Sequence, residues 1–96
     1  MANTNRNAIA PDINWIPDPE FWIGAEAENA VVDGFELLAY SVPATNGFPG
    51  IIGWEIFGDA EFMTQLRRGK SATFAQAKKD AEKALQEVRA IPLGPP

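Results

Sequence analysis

Two apolar runs, residues 21–32 (FWIGAEAENAVV) and 35–42 (FELLAYSV), flank Asp33-Gly34. A two-residue Asp-Gly between such runs predicts a β-hairpin, because a type I′ turn needs positive φ at both central positions. The implied register sets Val32 opposite Phe35, Ala30 opposite Leu37, Glu28 opposite Ala39 and Glu26 opposite Ser41. The other face then carries Val31/Glu36, Asn29/Leu38, Ala27/Tyr40 and Ala25/Val42. Near the turn the first face is apolar, and far from it the second is. A strand that changes its buried face needs a bulge or strong twist, so an irregularity is expected near Asn29.

Residues 43–53 (PATNGFPGIIG) are dense in Pro and Gly and predict a long loop, a place where functional residues collect. Residues 54–57 (WEIF) predict a third strand and residues 60–68 (AEFMTQLRR) a fourth. The firmest element is the last. Thr73 followed three residues later by Gln76 is a capping box, in which the hydroxyl accepts an early amide and Gln reaches back. Phe74, Ala77, Ala81, Ala84, Leu85 and Val88 recur at three- and four-residue spacing, one apolar stripe on a helix that Pro92 ends near Arg89 or Ala90.

Residues 1–20 keep neither period and contain three prolines, which predicts an irregular arm. Ile13, Trp15 and Ile16 are too apolar for water and should pack on the sheet or on a partner. The expected fold is α+β: an antiparallel β-meander of three to four strands, one face packed by a single C-terminal amphipathic helix, in one domain spanning 1–96. One helix covers one face. The other calls for the arm, a second copy or a partner.

Composition narrows the chemistry. At 96 residues with 46 % apolar and 22 % charged residues, the chain reads as an ordinary soluble globule. It has neither Cys nor His, which removes disulfides, thiolate or imidazole metal ligands and the usual nucleophile–base pairs. Glu26 and Glu28, about 7 Å apart along a strand, are the nearest approach to an acid–base pair, and two solvated glutamates explain them better. Asp12, Asn14, Asp18 and Glu20 are oxygen donors but lack the calcium-loop pattern. Gly47, Gly50 and Gly53 lack the Lys-Ser/Thr of a phosphate loop and suit turns instead. The chain is therefore expected not to be an enzyme and to need no cofactor or metal. No apolar run approaches the ~20 residues of a membrane span. With no apolar leader in MANTNRNAIAPD, a cytoplasmic location is expected.

The formal net charge of −5 is unevenly spread. Residues 1–61 hold ten acids against one base, and residues 62–96 hold seven bases against three acids. The acidic half predicts a protein-binding module in which Glu26, Glu28, Glu36 and Glu55, with Trp22 and Phe48 as apolar anchors, dock on a basic surface. A basic groove of a nucleic-acid-handling complex would suit it, in the manner of phage-encoded inhibitors of bacterial defence (an anti-CRISPR-like role). The alternative is a nucleic-acid-binding domain using Arg67, Arg68, Lys70, Lys78 and Lys79. A third is a homodimer closed through the uncovered sheet face. Residues 69–85 (GKSATFAQAKKDAEKAL), following a meander, resemble small antitoxin-type domains that close a sheet with an alanine-rich helix. That resemblance spans about a fifth of the chain and implies the fold alone.

Overall fold

A computed structural model describes residues 13–22, 24–58 and 64–90. The fold is α+β: a five-strand antiparallel meander in the order β1-β2-β3-β4-β5, packed on one side by a C-terminal helix. The strands are β1 (Ile16–Pro17), β2 (Glu26–Val32), β3 (Phe35–Val42), β4 (Ile51–Phe57) and β5 (Gln65–Lys70), and α1 is Phe74–Ala90. The arm expected to be irregular thus supplies a fifth strand. It is two residues long and sits at the sheet edge, where the missing N–H of Pro17 disrupts no central ladder.

The hairpin has the register read from the sequence, from Val32 opposite Phe35 to Glu26 opposite Ser41. Asp33 and Gly34 both have positive φ, 52° and 84°. The irregularity expected near Asn29 is absent, and pairing runs through that residue without a shift. The reason is that each end of the hairpin is covered from a different side. Near the turn, Ala30 and Leu37 belong to the core beneath α1, with Val32 and Phe35 packed beside it. Far from the turn, the phenol ring of Tyr40 is stacked by Phe21, 5.7 Å between centroids, on the side away from the helix. The bulge in this sheet lies between β4 and β5 at Ile56/Phe57 instead.

β4 starts three residues before its predicted beginning, because Gly53 does not break it. A Cβ there would come within 2.7 Å of the Tyr40 hydroxyl and of the Gly69 carbonyl oxygen. Gly53 faces Tyr40 across the ladder, so the aromatic ring covers the bare backbone. The same device recurs on the opposite face, where a Cβ on Gly69 would meet the Trp54 ring at 2.7 Å. The loop between β3 and β4 shortens to residues 43–50, with Gly47 and Gly50 at positive φ. Of the fourth predicted strand, residues 65–68 lie in β5, which continues to Lys70, and residues 60–63 lie outside the described residues.

The helix is capped at Thr73, whose hydroxyl accepts the Gln76 N–H at 3.0 Å. The reciprocal half of the box is missing. The Gln76 amide donates forward to Asp80 at 2.8 Å, since a carboxylate one turn on is the stronger acceptor. The core is Ala30, Leu37, Ile56, Ala81, Ala84 and Leu85, with Ile13, Trp15 and Trp54 packed against it. Three alanines in this set let the helix backbone lie close to the sheet. The Trp15 indole N–H donates to Glu82 at 2.8 Å and ties the arm to the helix. Ile16, expected with them to pack on the sheet or on a partner, lies in β1 and is 57 % exposed.

Candidate functional site

Alternation along the strands sorts every side chain onto one of two faces. Toward α1 lie Glu26, Glu28, Ala30 and Val32 of β2, Phe35, Leu37 and Ala39 of β3, and Ile56 and Trp54 of β4. Away from it lie Ile16, Asn29 and Val31, then Glu36, Leu38 and Tyr40, then Phe57 and Glu55, then Arg68 and Lys70. Among the described residues, no helix or strand lies over this second face. We call it the open face.

The register separates the four glutamates expected to act together. Glu28 points toward the helix and accepts an ion pair from Lys78 at 3.1 Å. Glu26, two residues away on the same strand, shares that side. Glu36 and Glu55 lie on the open face, and Glu55 accepts the Gln65 amide at 3.0 Å. The expected acidic sheet surface is therefore halved. Trp22 sits in the connection between β1 and β2 and is 57 % exposed. Phe48 lies in the β3–β4 loop, at a tight turn closed by hydrogen bonds with Thr45 in both directions.

The basic set divides as well. Arg67 faces the helix side of β5, while Arg68 and Lys70 are on the open face. Lys78 is held by Glu28 and lies 5.1 Å from the Phe74 ring centroid, and Lys79 is exposed on α1. The two sets thus do not form two opposed patches. They mix on one face, with acids toward β1, β3 and β4 and bases on β5.

Of the oxygen-donor group in the arm, Asp12 lies outside the described residues. Asp18 accepts the Asn29 amide at 3.0 Å and the Glu20 N–H at 3.2 Å, so its carboxylate anchors the arm to β2. Among the described residues, no three acidic side chains are grouped so as to hold a metal ion. No helix among them is long and apolar enough to cross a membrane. Arg89, in the last turn of α1, pairs with Asp33 at 2.8 Å.

The open face carries an apolar row and a depression. Val31 is 69 % exposed and Ile16 57 %, and they lie on adjacent strands, with Leu38 and Phe57 half-buried on the same face. Across β3–β5 lies a depression of about 370 Å³ lined by Tyr40, Ile51, Glu55, Arg68, Gly69 and Lys70. Burial pushes the Tyr40 phenol up from its ordinary range, and the Glu55 charge adds to this against the opposing pull of Arg68. Sequence reasoning missed Phe21, Leu38, Tyr40 and Phe57 as surface residues. The signal was there in the alternation, since every second residue of β3 and β4 must point away from the helix stripe.

Comparison of the chain with protein-family models, curated proteins and solved structures finds no match.

Proposed function

We propose that this protein is a non-enzymatic protein-binding module that docks through the open face of its sheet. The observation that carries this reading is the uncovered apolar row. Ile16 and Val31 expose more than half their surface on the same face as Leu38 and Phe57, while α1 packs the opposite face. Exposed apolar side chains at diagonal positions across the strands, bordered by charges, suit an association surface.

The acids on the face set the partner's chemistry. Asp18, Glu36 and Glu55 favour a protein that brings Arg or Lys beside an apolar patch. Basic grooves of nucleic-acid-handling proteins have that chemistry. So does any chain that carries its own bases on an apolar face. Glu26 and Glu28 drop out of the interface in this reading, and Phe48 is peripheral to it.

The test is affinity capture from the native host at moderate salt, with nuclease, using wild type, Val31→Glu and Gln86→Ala. Val31→Glu places a charge in the apolar row, and Gln86 is exposed on the outer side of α1. The expected result is a discrete protein bound by wild type and Gln86→Ala and lost with Val31→Glu. Identical capture by all three would overturn the reading.

A further inference from the structure

We infer that the occupant of the open face is a second copy of this chain, related by a two-fold axis lying parallel to β3. The inference rests on the open face being a docking surface and names what docks there. Three observations converge on it.

The first is charge order. On the open face, Asp18 lies at the β1 edge and Lys70 on β5, in the same row across the sheet: Lys70 opposes Gly53, Gly53 opposes Tyr40, Tyr40 opposes Ala27, and the Asp18 N–H bonds the Ala27 carbonyl. A two-fold axis along β3 keeps the row and exchanges left for right. Lys70 of one copy then faces Asp18 of the other, twice over. An axis across the strands would instead exchange the rows on each strand and set Arg68 against Lys70 of the other copy, a like-charge contact. The charges choose between the two arrangements.

The second is shape. The depression lined by Tyr40, Ile51, Glu55, Arg68 and Lys70 lies on the β3–β5 half. The connection carrying Phe21 and the exposed Trp22 joins β1 to β2 and reaches Tyr40 of β3, on which Phe21 stacks. The same axis brings each connection over the partner's depression, where the Trp22 indole meets two cations and a carboxylate acceptor for its N–H. The connection and this depression lie on opposite sides of β3, so one two-fold axis pairs each with the other, while a second recess of about 420 Å³ lined by Ile16, Asp18, Asn29 and Val31 stays on the β1–β2 half. The third is the apolar row, in which Phe57 on β4 faces Val31 on β2 of the other copy, and Leu38 on β3 meets itself.

Area bounds the size class of the interface. Five strands about 4.8 Å apart and about six residues long at ~3.3 Å per residue present roughly 500 Å². That is below the ~800 Å² per partner of a standard interface, which places the dimer among weak, transient associations. Glu36 also lies on β3, near the axis, where it meets its own copy. That repulsion weakens the dimer.

Sedimentation velocity over a concentration series from micromolar upward tests this. Wild type should pass from monomer to dimer. Trp22→Ala and Lys70→Glu should each raise the dissociation constant about tenfold or more, and Glu36→Gln should lower it. Lys70→Glu and Asp18→Lys should each be monomeric alone and dimerise when mixed, since the mixture restores both contacts. Should Asp18→Lys misfold, as its loss of the Asn29 bond allows, the Trp22 and Glu36 variants still decide. A monomer at every concentration, or a dimer indifferent to Trp22, Lys70 and Glu36, overturns the inference. If that occurs while Val31→Glu still abolishes capture of another protein, the docking reading stands and only its occupant is wrong. If capture is indifferent too, both fall.

Discussion

The sequence suggests Glu28 as a binding residue, and its geometry predicts something else. Its carboxylate lies 3.1 Å from Lys78 Nζ, joining the second strand to the helix. Both side chains are about three-quarters buried, with 20 % of Glu28 and 28 % of Lys78 exposed. At that distance the Coulomb attraction is about 5 kcal/mol for an effective dielectric near 20. Desolvating both groups and ordering a lysine offset most of it, which leaves a net coupling of about 1 kcal/mol. The assay is a double-mutant cycle in urea with Glu28→Gln, Lys78→Met and the pair, followed by tryptophan fluorescence. Each single variant should lower Tm by roughly 4–8 °C per kcal/mol lost in a chain of this size. The cycle should return about 1 kcal/mol, reduced only slightly by salt because the pair is sheltered. Dimerisation should be unchanged in Glu28→Gln, in contrast to the open-face variants. A coupling indistinguishable from zero would refute the electrostatic account. A loss of dimer in Glu28→Gln with normal stability would refute the placement of Glu28 on the helix side.

Two further outcomes follow from the core and the open face. Leu37 is fully buried between Ala30 and Ile56 and under an alanine-rich helix that cannot fill a hole, so Leu37→Ala should cost about 3–5 kcal/mol in urea unfolding; a loss below about 1.5 kcal/mol would contradict that packing. Tyr40 is the single tyrosine, so phenolate absorbance titrates it directly, and its folded value should lie above the ordinary 10.0 because of burial. With the folded value raised, the neutral phenol stabilises the fold fully below pH 10, and this contribution fades as pH climbs from 10 through the folded value. Tyr40→Phe should flatten that part of the alkaline stability curve relative to wild type, and an unchanged slope would remove the argument.

Local rules carried much of the structure. Asp33-Gly34 fixed a turn type, and the turn type fixed the register of seven cross-strand pairs, because a two-residue loop leaves no slack. The three- and four-residue recurrence from Phe74 to Val88 fixed the helix and its buried stripe, and Thr73 fixed its start. These are short-range geometric constraints, and the chain states them directly. The open face was implied in the same way, since a strand with one buried side must turn the other outward.

Tertiary structure decided the rest, where the outcome hung on residues far apart in sequence. Gly53 reads as a breaker until Tyr40, thirteen positions earlier, lies across it and lets the strand run on. Residues 13–18 show no period, yet Trp15 reaches Glu82 and Asp18 reaches Asn29, and together they turn an arm into an edge strand. Glu28 looks like its neighbours in any charge count, and only the docking of the helix gives it Lys78. The sequence determined that acids and bases would be segregated along the chain. The meander determined that both would meet on one face, because the β4–β5 register sets Glu55 opposite Arg68 on the side away from the helix.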